Sequence, residues 1–404
     1  GTLRAGAAAG GQGFGSNSAV TLADAAGATL DLNGFNQTIG SLAGGGTTGG
    51  NVTLGAGVLS TGSNNTSTLY AGAISGGGGV IKTGTGTQTL TGDNTYTGGT
   101  TINAGTLQIG DGGTTGSIAG NIVDNAALVF NRSNALAYAG TLSGTGSLTQ
   151  AGSGVTTLTG AGSSIASTNV TAGTLELAQA GAFTSGSYTT AGGATTQLDA
   201  NATLAVSGAF TQASASTLNV ALGTTQPIIS ASTASLAGAL NITGFGGSAP
   251  NTASALTSTQ FNVLHTTGGI TGDFDSVSLG GASSPVDYLR LAGAKSADNL
   301  NYNVGFGLTW LAGATQGNGI FTLANAGDSF NADVALNNQV ASATGWGGTT
   351  LTKNGAGTLT LSAANGYTGA TTINGGTLAT GVANAFAASS AVNLAAGAAL
   401  ALNG

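Results

Sequence analysis

The segment Gly77–Asp111, GGGVIKTGTGTQTLTGDNTYTGGTTINAGTLQIGD, returns without a gap at Gly348–Gly381 as GTTLTKNGAGTLTLSAANGYTGATTINGGTLATG. Lys82 matches Lys353, Gly84 matches Gly355, Gly86 matches Gly357, Leu90 matches Leu361, Asn94 matches Asn365 and Tyr96 matches Tyr367. Ile102 and Ile373, Gly105 and Gly376, and Leu107 and Leu378 hold the same phase. A worn copy at Thr149–Leu175 keeps Gly152, Gly154, Leu158, Gly160, Val170, Gly173 and Leu175, but has Gln150 and Ser164 where the lysine and tyrosine stand elsewhere. Fixed glycine punctuation around short threonine-rich runs restricts the fold to a repeat architecture. Each run is about four to six residues, alternates in polarity and ends at Gly, Asn or Ser, which is the grammar of strands and turns. A helical period of 3.6 is nowhere sustained. The Ala-rich end, AFAASSAVNLAAGAAL, is read as strand too, because the same phase near the start carries Thr, Val and Gly.

A unit of this length cannot bury its own apolar face; stacked on copies of itself it can. The sequence therefore predicts an all-β fold, a parallel β-helix (solenoid) wound as a single continuous rod. Val52, Leu54, Leu90, Ile102, Leu107, Val170, Leu175, Leu361, Ile373 and Leu378 are expected inside, with Thr and Ser outside. Glycines are expected at the corners, and Asn94 and Asn365 as left-handed corner residues. At about 20–25 residues per coil the chain makes on the order of 16–20 coils. Residues 1–224 and 301–404 are read as regular solenoid repeats. Residues 225–300 hold all three prolines and His265, and are read as irregular or decorated coils of the same solenoid.

Composition narrows the function. Charged residues make up 5% of the chain against roughly a quarter in ordinary domains. A net charge of −7 leaves no basic stripe for nucleic acid. The absence of cysteine removes disulfides and thiolate metal sites, and suits export as an unfolded chain. No apolar run is long enough to span a membrane as a helix. The chain begins and ends in mid-repeat: Gly1-Thr2-Leu3 matches Gly105-Thr106-Leu107, and GATLDLNG at Gly27–Gly34 corresponds to GAALALNG at Gly397–Gly404. It is expected to be a slice of a longer chain.

The blocks KTGTGTQTLTGDNTYTGGTTINAGTLQ and KNGAGTLTLSAANGYTGATTINGGTL resemble the passenger-associated transport repeat of bacterial autotransporters. FNVLHTTGGITGDFDSVSLGGASSPVDYLRLAG, followed by NYNVGFGLTW, is similar to a segment of large passengers in that family. The resemblance implies a right-handed parallel β-helix, export across the outer membrane and display on the Gram-negative surface. It implies an adhesin, a self-associating filament subunit or a stalk, with host surfaces, other bacterial cells or further copies as partners.

Candidate chemistry is sparse. Asp273, Asp275, Asp287 and Arg290 could form a polysaccharide-cutting site within 265–300, since glycoside hydrolysis needs a pair of carboxylates; they are read as solvated turn residues. His265 lacks the G-x-S-x-G context of a nucleophile elbow and is read as structural. No metal or cofactor motif is present, and no catalytic, metal or cofactor residue is assigned. Lys82 and Lys353 are read as solvated edge residues, and Tyr96 and Tyr367 as packing across corners. Trp310 and Trp346 are the only tryptophans. Trp346 is read as packed on an adjacent coil, with an exposed partner anchor as the alternative. Thr87/Thr89 and Thr358/Thr360 raise an ice-binding array, disfavoured because the pairs do not recur in every coil.

Overall fold

The computed structural model describes residues 1–404 apart from 7–11, 223–225, 246–249, 259, 280–285, 387 and 403–404. Strand accounts for 48% and helix for 3%, and the strands stack in parallel coils as a β-solenoid of about 17 turns, within the range that coil length predicts. Strands are short because turn residues interrupt them every few positions. Thr87–Leu90 has the typical pattern, half-buried at threonine and buried at the alternate position. All ten aliphatic side chains expected inside are buried. The Ala-rich end forms strands Val392–Leu394 and Ala399–Leu402.

The chain divides into two compact units. The first comprises Gly1–Asn241 with Leu264–Ser276 and Asp298–Asn301. In its early coils one parallel sheet runs from Gln37–Ile39 through Leu59–Thr61, Val80–Lys82, Thr100–Ile102 and Ile122–Asp124 to Leu142–Ser143. A second face stacks Thr87–Leu90, Thr106–Ile109, Ala127–Phe130 and Ser147–Gln150 residue on residue. Neighbours along these columns point the same way, so stacked columns of mostly aliphatic side chains, with a few buried polar ones, fill the interior. Further along, strands lengthen: Gly181–Thr190 and Ala202–Gln212 each span what were two strands and a corner. Register shifts between Ser185 and Tyr188, and between Val206 and Ala209, absorb the bend as bulges where earlier coils use a glycine turn.

The second unit comprises Ile242–Val263, Val277–Ala297 and Tyr302–Gly404. Ile320–Thr322, Leu351–Asn354, Thr371–Ile373 and Val392–Leu394 form one four-stranded parallel sheet. Ser329–Ala332, Thr358–Leu361, Thr377–Thr380 and Ala399–Leu402 form another. Aromatic side chains supplement the aliphatic stripe. Trp310 is edge-on to Trp346 at 4.7 Å and to Tyr367 at 5.4 Å, and Tyr288 stacks on Phe321 at 5.5 Å. Trp346 is therefore buried in the core and offers no exposed anchor. Parallel winding is interrupted in this unit. A short helix, Ala253–Ser258, donates the Ser254 amide to Asp333 Oδ1 at 2.7 Å. An antiparallel hairpin pairs Leu289 with Leu308 through Lys295 with Tyr302.

Candidate functional site

The repeat's recurring polar residues meet at its corners. Lys82 ends the strand Val80–Lys82 and turns its ammonium inward. Nζ donates to Thr83 O at 2.7 Å, Gly84 O at 2.9 Å and Ala104 O at 3.1 Å. The first two carbonyls belong to the same coil's turn and the third to the next coil's turn, so one side chain ties two coils together. Lys353 repeats the cradle with Asn354 O at 2.7 Å, Gly355 O at 2.9 Å and Gly375 O at 3.1 Å. Both lysines are fully buried, which overturns the reading of them as solvated edge residues. Turn carbonyls point into the coil and need donors, and an ammonium supplies three. Burial also holds both ammonium groups below the usual lysine pKa.

Glycine fixes the far side of the same corner. Gly105, Gly173 and Gly376 have φ of +68°, +57° and +61°. A β-carbon on Gly105 would sit 2.4 Å from Gly86 O and 2.5 Å from Gly84 O. The corresponding distances are both 2.4 Å at Gly173, and 2.3 and 2.5 Å at Gly376. Close stacking of successive turns leaves no room for a side chain there.

Asn94 and Asn365 are not left-handed corner residues, since neither is among the side-chain-bearing residues with positive φ. They are buried rungs instead. Asn94 Oδ1 accepts from the Ile74 amide at 3.0 Å, and its Nδ2 donates to Ser117 O at 2.9 Å, bridging the coils before and after it. Asn365 does the same between the Leu336 amide at 2.8 Å and Ala385 O at 3.0 Å. Tyr96 and Tyr367 lie inside the solenoid with their hydroxyls 2.6 Å from Thr100 Oγ1 and 2.7 Å from Thr371 Oγ1. Desolvation raises both phenols, Tyr367 to about 12. Sealed in this way, none of these groups can stack on a ligand. Asp124 occupies the column of Lys82 two coils on, as the register Lys82–Ile102–Asp124 shows. Its Oδ1 accepts from the Ala126 amide at 3.0 Å, its Oδ2 is buried without a partner, and desolvation raises its pKa to about 6.

The carboxylates singled out in the sequence are spent on backbone. Asp273 accepts from the Phe274 amide at 2.8 Å and Asp275 from the Gly238 amide at 2.9 Å in the first unit. In the second, Asp287 accepts from the Thr322 amide at 2.8 Å and from its hydroxyl at 2.5 Å. His265 Nδ1 lies 2.9 Å from Asn301 Oδ1, an amide where a triad needs a carboxylate. Among the described residues no three His, Asp or Glu converge as a metal site. The threonine column through Thr89 continues as Gln108, Val129 and Thr149, which is no flat threonine lattice. Another outward column forms a polar ladder. Thr157 and Gln197 donate to Glu176 at 2.5 Å each, and Asn219 donates to Gln197 at 3.5 Å.

The solenoid thus uses its recurring residues to hold coils together and leaves its outer columns, rich in Thr, Ser and Asn, for contact. Residues 80–109, 148–177 and 351–379 match the passenger-associated-transport-repeat. These are the same three copies that sequence self-similarity delimits. A relative described as the adhesin BmaC autotransporter, from Brucella suis biovar 1 (strain 1330), is 41% identical over 136 residues. That match covers 32% of this chain and 4% of the relative, so the chain spans a small part of that protein. Three stretches of the chain thus carry passenger-associated-transport repeats, and about a third of it is similar to part of an autotransporter adhesin.

Proposed function

We propose that this chain is a non-enzymatic solenoid displayed on the bacterial surface and exported across the outer membrane, where it acts in adhesion to host surfaces or other cells. The observation that carries the reading is the division of labour between its two sides. Charged and ring-bearing repeat residues face inward to hold the coils, as Lys82, Lys353, Tyr96 and Tyr367 do. The outer columns carry mostly uncharged side chains, with Thr, Ser and Asn prominent among them. Such a surface binds through many weak contacts whose avidity exceeds any one of them. A relative named as an adhesin supports the same reading. The backbone-bound state of Asp273, Asp275 and Asp287 argues against the polysaccharide-cutting alternative in 265–300. Expression of the chain as a surface-displayed passenger on a non-adherent Gram-negative strain is expected to raise cell or matrix attachment, and to do so increasingly with surface density. Attachment equal to that of the undisplayed strain removes the proposal. The sparsely charged outer columns also suit pairing between copies, as a filament or stalk would use. Sedimentation at rising concentration is expected to show association, and a monodisperse monomer throughout removes that part of the reading.

A further inference from the structure

Four of the chain's six Lys and Arg residues have visible structural roles outside the antiparallel hairpin. Lys82 and Lys353 fill carbonyl cradles, Arg4 pairs with Asp31 at 3.1 Å, and Arg132 donates to Gly116 O at 2.6 Å and Thr114 O at 2.7 Å. Arg290 lines a groove of about 420 Å³ on the antiparallel hairpin of the second unit, with Lys295 at its edge. Pairing sets Arg290 opposite Gly307, Ala292 opposite Gly305 and Ala294 opposite Asn303. Alternate residues share a face, so the floor beside Arg290 is built from glycine and alanine, while Lys295, opposite Tyr302, belongs to the other face. A β-carbon on Gly307 would stand 3.3 Å from Arg290 Nε, which places the guanidinium group directly over that glycine. Arg290 Nε is buried and has no hydrogen-bond partner, while Asp287, the carboxylate nearest in sequence, is held by Thr322. Gln260 and Asn303 add amides to the rim.

From these residues we infer that the groove binds a carboxylated saccharide, a uronate or sialate unit at the end of a glycan, with Arg290 as the carboxylate's partner. This deepens the adhesin reading and rests on it. A planar guanidinium matches a carboxylate with two parallel hydrogen bonds, and amides suit hydroxyl groups. The small-residue floor admits a flat ring, and the volume lies at the low end for ligand pockets, room for one or two sugar units. A net charge of −7 repels polyanions at longer range, so a single carboxylate is favoured over a polysulfated chain.

The test is titration of the whole chain, by calorimetry and saturation-transfer NMR, with sialyllactose, an unsulfated glucuronate disaccharide, lactose and heparin. Saturable binding of one or both carboxylated sugars is expected, with lactose and heparin at least tenfold weaker. Arg290→Ala is expected to weaken binding tenfold or more, Arg290→Lys less, and Lys295→Gln least. Gly307→Val fills the floor without removing the charge of Arg290, and is expected to abolish binding while circular dichroism stays unchanged. No saturable binding of either carboxylated sugar, heparin binding as tight as theirs, or binding indifferent to Arg290→Ala and Gly307→Val overturns the inference. Attachment of displaying cells, measured alongside, separates the two readings. Attachment unaffected by Arg290→Ala sinks this site and leaves the adhesin standing. Sugar binding without attachment sinks the adhesin and leaves the site.

Discussion

The corners at Lys82 and Gln150 solve one problem with different chemistry. Both end an inner strand and are followed by the same spacing of glycines, Gly84 and Gly86 in one and Gly152 and Gly154 in the other. Lys82 satisfies three carbonyls across two coils. Gln150 donates only to Gly152 O at 2.8 Å and Gly154 O at 3.3 Å, and its own Oε1 is left buried and unpartnered. The backbone path survives the exchange because glycine, not lysine, sets it: Gly105 and Gly173 occupy the same tight left-handed position. The comparison teaches that the repeat has a geometric layer that cannot drift and a hydrogen-bonding layer that can.

The geometric layer should break hardest. Gly105→Val forces a β-branched residue into positive φ and drives its β-carbon against two carbonyl oxygens. Overpacking and left-handed strain together cost about 4 kcal/mol or more. Gly397→Ala is the control, also at positive φ but with open space around its β-carbon, and should cost about 1 kcal/mol. Urea denaturation of the two variants measures the difference; equal losses would contradict the steric account.

Second comes the hydrogen-bonding layer. Lys82→Met leaves three turn carbonyls without their donor and is expected to cost about 3 kcal/mol, while Lys82→Gln, which imports the Gln150 solution, should cost about half as much. If the methionine variant is as stable as the parent, the cradle contributes nothing. The sign with pH is set by the lowered lysine pKa. The folded state holds the proton less tightly than the unfolded state, so stability rises as pH climbs through the folded lysine's pKa.

Asp124 sharpens the contrast in the opposite direction. Its pKa is raised from 3.8 to about 6, so the folded state holds this proton more tightly than the unfolded chain does. Its contribution is fully present below the unfolded value and is lost as pH rises through about 6. Asp124→Asn should therefore stabilise the protein at pH 7.5, by up to about 3 kcal/mol, and flatten the stability profile between pH 4 and 6. A stability profile with the same slope in both proteins would refute the assignment. The smallest effect belongs to Tyr96→Phe, which loses one hydroxyl contact to Thr100 and should cost about 1 kcal/mol in the same denaturation series.

Much of the fold was legible because its signal is periodic. Inward aliphatics such as Leu90, Ile102 and Leu378 follow from alternation alone, and the repeat boundaries follow from glycine spacing. What alternation cannot reveal is where a polar residue ends up when a turn consumes it. Lys82 reads as surface because free lysines are hydrated; only the converging carbonyls of the turn make burial tolerable. The available clue was recurrence, since a chain so poor in cations repeats Lys-x-Gly-x-Gly at 82–86 and 353–357. Asn94 was misread for a related reason, because its bridging partners, Ile74 and Ser117, lie in different coils. The groove at Arg290 was equally hidden. Its floor is made by cross-strand pairing of Gly305 and Gly307 with Ala292 and Arg290, an antiparallel register that no spacing in the sequence announces.

Coil stacking underlies every argument above, and the lack of cysteine makes it directly testable by disulfide trapping. Thr89 and Gln108 are register partners in adjacent coils, and Val129 lies one coil further along the same column. Adjacent parallel strands lie about 4.8 Å apart and disulfides span α-carbons about 4.4–6.8 Å apart. Thr89→Cys with Gln108→Cys should therefore cross-link completely under mild oxidation, and Thr89→Cys with Val129→Cys should not. Cross-linking of the second pair, or failure of the first, would contradict a parallel solenoid in this register.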